Sequence, residues 1–298
     1  MSDEPGPPNL NQDDDLAGDP LALPALPEVP ALTYAGHPPL ARAVDDTRYP
    51  RIAMSRGSAA VDLFVVVALL LAAIEALHLL NFAEWMQAHA PVLGMFWVNV
   101  LIGAVTLIIV AVMLKARRQK ASALGLGKTS FGKTIGLAAA TIPVCYVSVL
   151  VTVSAYLALS GTSIDGLVQE RAAFFDEVPH IPPLIAVLFS LFVGLHEEIL
   201  FRGFILSRLR ALFGSTVAAV IASSIVFGLL HGYQGAIGVV QTTTVGLVLA
   251  TLAARFRTIW PAILAHGLFD AISLVAVPLL GDSLQQFANQ VTTTQAAN

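Results

Sequence analysis

The chain has 298 residues, of which 56% are hydrophobic and 12% are charged. This composition excludes a water-soluble domain of that size and indicates an integral membrane protein. The formal net charge of -4 is unevenly distributed, because nine of the twenty acidic residues lie in the first fifty positions and leave the remainder mildly basic. The mild basic excess lies in short loops rather than in a basic stripe, so no nucleic-acid partner is expected.

Residues 1–50 are rich in Pro and Asp and show no helical or strand period. They predict a disordered, acidic N-terminal tail. The first long apolar run starts near residue 59, too late for a cleavable signal peptide, so the first span is expected to direct insertion.

Seven apolar runs are each long enough to approach the bilayer thickness of about 30 Å. Residues 51–281 are therefore predicted to form an all-α, polytopic membrane bundle, followed by a polar tail at 282–298. The amphipathic segment between the third and fourth runs predicts an eighth, interfacial helix. The runs lie at 59–80, 92–114, 134–158, 182–206, 214–231, 236–254 and 258–280.

Basic residues cluster before the first run and after the second, fourth and sixth runs. Under strict alternation all these clusters lie on one side of the membrane, which the positive-inside rule assigns to the cytoplasm. The N-terminus is then cytoplasmic, and for a bacterial protein the expected membrane is the plasma (inner) membrane. The clusters are Arg48, Arg51 and Arg56; Lys115, Arg117, Arg118, Lys120, Lys128 and Lys133; Arg208 and Arg210; and Arg255 and Arg257.

The stretch GLHEEILFRG at 194–203 places ionisable side chains inside an apolar run. Each such charge is expensive in a bilayer unless it is paired or solvated. Glu198 and Arg202 are four residues apart and share a helical face, which predicts a structural pair. Glu197 points in another direction and is free to handle protons in a cavity.

Two later runs carry further polar residues, in Phe227-Gly-Leu-Leu-His231 and in His266-Gly-Leu-Phe-Asp270. Because none of these ionisable side chains can face lipid cheaply, Glu197, His231, His266 and Asp270 are expected to converge. Such a set could hold a divalent metal such as zinc, or Glu could act directly as general base while the other groups stabilise an oxyanion.

Other candidates have simpler interpretations. Cys145 is the only cysteine and is predicted to be a small core residue. His196 has no spaced partner, and Leu200 occupies the position where an HExxH zinc-protease helix needs its second histidine.

The segments EEILFR, FGLLH and HGLFD resemble the motifs EExxxR, FxxxH and HxxxN/D of the CAAX-protease and bacteriocin-processing (Abi) family of intramembrane endopeptidases. The resemblance covers about residues 120–280. It implies that Glu197 is the catalytic glutamate, that His231 helps to activate water, and that His266 and Asp270 form the other wall. Asp270 stands where many members have Asn, and members are described both as metalloproteases and as glutamate proteases.

The resemblance implies peptide-bond hydrolysis in a membrane-embedded or lipidated protein or peptide. Two other functions compete with it. The first is a catalytically silent scaffold of the same fold, but a scaffold has no need for costly buried ionisable residues. The second is a proton-coupled transporter, which paired short or broken spans in matching halves would indicate, and the sequence shows none.

The basic clusters generate a topology prediction. Reporter fusions in the loop at 115–133 should give a cytoplasmic signal, because this loop carries the largest basic cluster. A fusion at 84–91, in a loop without Lys or Arg, is the matched control and should report the opposite side. A lumenal or periplasmic signal from 115–133 would overturn the whole arrangement.

Overall fold

A computed structural model describes residues 54–90, 93–163, 166 and 181–276. Within this part of the chain the regular structure is helical, with eight α-helices and no strand, which confirms the predicted all-α membrane bundle. The helices are α1 (Arg56–Leu79), α2 (Phe82–His89), α3 (Gly94–Ala116), α4 (Phe131–Ser160), α5 (Pro183–Phe213), α6 (Thr216–Leu230), α7 (Gly235–Phe256) and α8 (Trp260–Ala276), with 3-10 turns at Ala121–Leu124 and Gly232–Gln234.

Each of the seven predicted spans corresponds to one of these helices. Five of them, α1, α3, α4, α5 and α7, are long and apolar enough to cross a membrane. Helices α6 and α8 are shorter; α6 has 15 residues and is therefore about 22 Å long. The predicted end of the last span, at residue 280, lies outside the described residues.

Helix α5 is longer than predicted. It begins at Pro183, where proline suits the first turn, and it continues beyond residue 206 to Phe213. Gly214 then adopts the left-handed conformation (φ 70°), and the Ser215 side chain accepts a hydrogen bond from the Ala218 backbone N–H at the start of α6. Arg208, predicted to follow the span in a loop, lies within the helix instead.

The connection between the first two spans was predicted as a loop, but it contains α2. The predicted interfacial helix between the third and fourth spans falls almost entirely outside the described residues, as do the predicted tails at 1–50 and 282–298.

Helices α5 and α7 form the centre of the bundle, whereas α1 and α4 present mostly apolar side chains to the outside. Phe64 is 75% exposed and Leu159 is 89% exposed. Apolar surface of this extent is typical of contact with lipid acyl chains. The chain is therefore an integral membrane protein.

The helices are staggered along the bundle. One core cluster joins Leu206 of α5, Val220 of α6, and Ile259 and Ile263 at the start of α8. The Phe227 ring of α6 lies 4.6 Å from the His231 ring and 5.9 Å from the His266 ring between centroids, so His231 at the end of α6 and His266 within α8 both lie against one aromatic side chain.

A buried ion-pair network joins α1 to the ends of α3 and α5. Asp62 is fully buried and accepts a hydrogen bond from Arg117 Nε at 2.7 Å. Arg208, also fully buried, approaches the second Asp62 oxygen at 3.4 Å and donates to Gln119 Oε1 at 2.6 Å. Its guanidinium lies 3.7 Å from the Phe204 ring centroid. Paired in this way, Arg208 can remain inside the last turns of α5.

This network generates a stability prediction. Asp62→Asn should lower the free energy of unfolding by about 3–5 kcal/mol, because it removes the carboxylate between two guanidinium groups, one of them fully buried. Unfolding in mixed detergent micelles titrated with sodium dodecyl sulfate measures the change.

Glu75→Gln is the matched control, since Glu75 is an exposed carboxylate on the same helix. It should change the unfolding free energy by no more than about 0.5 kcal/mol. Equal stability of Asp62→Asn and the unmodified protein would contradict a structural role for the network.

Candidate active site

The two glutamates lie where the hydrogen bonding of α5 changes. Residues Pro183–Glu198 are α-helical, and Ile199–Ile205 form a π-helical segment before the α-helix resumes. The sequence predicted a regular α-helix here. Gly203 in this segment packs against the 3-10 turn, because a Cβ added to it would lie 3.0 Å from Leu124 Cβ. Single π-helical turns of this kind occur often at functional sites.

A glycine crossing brings α5 against α8. A Cβ added to Gly194 would lie 2.8 Å from the Gly267 backbone nitrogen, and one added to Gly267 would lie 2.8 Å from Leu191 Cα. Neither backbone could approach so closely with a side chain present. Gly194 lies three residues before Glu197 and Gly267 directly follows His266, so the crossing places the α5 glutamates next to His266.

Glu198 joins Arg202 to His266. One oxygen, Oε1, accepts a hydrogen bond from Arg202 Nη1 at 2.7 Å and lies 2.8 Å from His266 Nδ1. Because an ionised carboxylate only accepts hydrogen bonds, His266 carries a proton on Nδ1, and this N–H donates the hydrogen bond to Glu198. The predicted Glu198–Arg202 pair is present and almost fully buried. Its second task, holding the His266 imidazole, was not predicted.

Glu197 and Asp270 lie at the other ring nitrogen. His266 Nε2 is 3.4 Å from Asp270 Oδ2 and 3.8 Å from Glu197 Oε2. The Glu198 side chain is fully buried, whereas those of Glu197 and Asp270 are 19% and 32% exposed. Among the described residues, Oε2 of Glu197 and Oε2 of Glu198 are both buried without a hydrogen-bond partner, so the two side chains differ in overall exposure and in the Arg202 pair of Glu198. The two adjacent glutamates therefore occupy different environments, as their helical directions predicted.

His231 reaches this cluster through Phe227. It caps the end of α6, and its Nδ1 hydrogen-bonds the Phe227 carbonyl at 2.7 Å. The buried Phe227 ring stands edge-on to the His266 ring at 5.9 Å, and the Arg202 guanidinium lies 4.4 Å from its centroid. Phe227 is therefore the shared neighbour of both histidines and the arginine.

The structure thus brings together Glu197, Glu198, Arg202, His266 and Asp270 by polar contacts and adds His231 through an aromatic contact. His196 lies elsewhere, against α3, where a Cβ added to Gly103 would meet its ring at 2.8 Å. Cys145 is buried in the core cluster of α4, α7 and α8, as predicted.

The donor set tests whether a metal fits. Both site histidines engage Nδ1 with an oxygen, as metal-bound histidines usually do, but His266 Nε2 already faces Asp270 Oδ2 at 3.4 Å. In the described part of the chain, however, no group of three or more His, Cys, Asp or Glu side chains is arranged to hold a metal ion. The described residues as placed do not fit a metal ion, and the proton transfers at this cluster are therefore assigned to protein side chains.

Residues 179–272 match the family model described as Rce1-like, type II CAAX prenyl endopeptidase Rce1-like. All three sequence motifs lie inside this match, which confirms the family resemblance over a shorter stretch than the predicted 120–280. Neither a curated protein nor a solved structure matches the chain.

The shared Glu198 oxygen generates a double-mutant prediction. Glu198→Gln and Arg202→Gln should each lower the unfolding free energy by about 3–5 kcal/mol, because each breaks a buried ion pair from one side. The double variant should lose much less than the sum of the two. Unfolding in mixed micelles measures all three.

Glu84→Gln is the control, because Glu84 is an exposed acid on α2. Strictly additive losses in the double variant would show that the two side chains act independently. A stable Arg202→Gln variant that no longer binds substrate would instead make Arg202 a substrate anchor.

Proposed function

We propose that this chain, whose residues 179–272 match the Rce1-like model of type II CAAX prenyl endopeptidases, is an intramembrane endopeptidase. It would hydrolyse a peptide bond in a membrane-embedded or lipidated protein or peptide. The observation that carries the proposal is the buried Arg202–Glu198–His266 chain with a second, wetter carboxylate beside it.

Glu197 is the proposed general base. Glu198 cannot serve, because its carboxylate is fully buried and already accepts from Arg202 and His266. Glu197 has a partly exposed side chain, and its Oε2 lies 3.8 Å from His266 Nε2. A carboxylate in this position can take a proton from a water molecule as the water attacks the scissile carbonyl carbon.

The remaining groups have separate roles in the reaction. A new carbon–oxygen bond forms, and the tetrahedral oxyanion needs positive charge or N–H donors beside it. His266 would supply an Nε2–H when doubly protonated, and Asp270 would hold the imidazole from the outer side. Protonated Glu197 then gives its proton to the leaving amine as the carbon–nitrogen bond breaks, and His231 would orient the attacking water.

Glu198 is a positioning residue in this scheme. By accepting from Nδ1–H it fixes the ring orientation, as the third group of a catalytic triad does for its histidine. An Asn at position 270 could donate an N–H to the oxyanion, whereas the Asp270 carboxylate can only accept. In this chain His266 alone would therefore stabilise the oxyanion.

A substrate screen tests the proposal. Membranes containing the unmodified protein and membranes containing Glu197→Gln are compared by proteomics, and precursors that accumulate with the variant are purified as substrates. On such a substrate, Glu197→Gln should lower kcat by about 10²–10⁴-fold, because it removes the base without changing the side-chain volume.

Glu75→Gln is the matched control, since it neutralises an exposed carboxylate far along the chain from the site, and it should keep full kcat. Unfolding of Glu197→Gln should stay within about 1 kcal/mol of the unmodified protein, because Glu197 forms no close ion pair. Unchanged turnover by a folded Glu197→Gln variant would overturn the general-base role. Absence of any precursor that accumulates with this variant would instead favour a silent scaffold.

A further inference from the structure

Helix α2 lies in the turn between two spanning helices. It runs from Phe82 to His89, and its inner face carries the half-buried Phe82 and Met86. The start of α3 packs directly on this face, because a Cβ added to Gly94 would lie 2.9 Å from the Met86 backbone oxygen. Helix α2 is therefore held against the bundle and is not a free loop.

The position of α2 relative to a membrane follows from its neighbours. Helices α1 and α3 pack against each other, and both are long and apolar enough to cross a bilayer. Asp62, near the start of α1, pairs with Arg117 at the end of α3, so the two helices run antiparallel. The segment joining their other ends must lie at the opposite membrane boundary.

The surface at the junction of α1 and α2 exposes large apolar and aromatic side chains beside the exposed polar residues Glu84 and Gln87 of α2. Leu79 and Leu80, at the junction with α1, are 73% and 74% exposed, and Trp85 is 54% exposed. The His89 ring stacks on Trp85 with 4.5 Å between centroids, and its Nδ1 hydrogen-bonds the Trp85 carbonyl at 2.8 Å. These contacts keep the indole on the outer side of the helix.

The chemistry of this surface selects one partner. Tryptophan combines a large apolar ring with one N–H donor, and it concentrates at the boundary between lipid headgroups and acyl chains. The α2 sequence FAEWMQAH contains no Lys or Arg and contains one acid, Glu84. Attraction to anionic headgroups is therefore absent, and apolar burial has to supply the binding.

We propose that α2 and its junction with α1 form an interfacial anchor whose exposed apolar side chains, Leu79, Leu80 and Trp85, bind the headgroup–acyl boundary of a zwitterionic lipid leaflet. The leaflet is the one opposite the Asp62–Arg117 end of the bundle. The anchor fixes the depth of α3, which packs on α5 through Gly103 at His196, one residue before Glu197. This inference is independent of the proposed hydrolysis.

Fluorescence depth measurement tests the proposal. The chain has three tryptophans, so Trp97→Phe with Trp260→Phe leaves Trp85 as the only indole. In phosphatidylcholine vesicles, Trp85 should be quenched most by lipids brominated near the headgroup end of the acyl chain. The depth should correspond to about 5–10 Å below the headgroup boundary. Replacing a third of the lipid by phosphatidylglycerol should leave the depth unchanged.

A variant retaining only Trp97 is the matched control. Trp97 follows Gly94 by three residues inside α3 and is 52% exposed, so more deeply brominated lipids should quench it best. Quenching of Trp85 by aqueous iodide without quenching by brominated lipid would overturn the proposal, because α2 would then stand in water. Strongest quenching by the deepest bromines would also overturn it.

A second measurement tests the same proposal without the two tryptophan substitutions, in case the double variant does not fold. A nitroxide on Ala88→Cys, with Cys145→Ala, keeps all three tryptophans and lies three residues beyond Trp85. Accessibility to oxygen and to a water-soluble nickel complex should be similar at this label, as expected at the boundary. A large excess of either accessibility would contradict interfacial placement.

Discussion

One carboxylate oxygen determines the arrangement of the site. Glu198 Oε1 faces both the Arg202 guanidinium and the His266 imidazole, within 2.8 Å of each. All three side chains are at least 95% buried, and buried charges persist only when partners surround them. Removing the carboxylate would therefore affect the protonation and orientation of the histidine as well as the pairing of the arginine.

The shared oxygen requires that two helices approach closely. Gly194 and Gly267 remove the side chains that would separate α5 from α8, and Phe227 fills the adjoining space between Arg202 and His266. Small residues are common where membrane helices pack, since close backbones gain dispersion contacts that lipid cannot replace. In this chain the small residues also set the distance between Glu198 and His266, which couples the packing of the bundle to the geometry of the candidate site.

The sequence predicted what short-range periodicity and bilayer energetics determine. The helical class, the seven apolar runs and the Glu198–Arg202 pair follow from composition and from four-residue spacing. The Glu198–His266 bond could not be predicted, because the pair with Arg202 already explained Glu198 and no local pattern joins residues 68 positions apart. Three other features involve tertiary contacts in the same way. The π-helical segment packs on Leu124, α2 packs on the start of α3, and Asp62 pairs with Arg208.

The exposures of the three site carboxylates follow their distance from positive charge. Glu198 contacts Arg202 and is dry, whereas Glu197 and Asp270 lack a guanidinium partner among the described residues and are 19% and 32% exposed. A carboxylate without a cation is stable in a bilayer only where water reaches it. The partly exposed parts of Glu197 and Asp270 are therefore the side from which solvent can approach the cluster, and in the proposed reaction this is where a water molecule would enter.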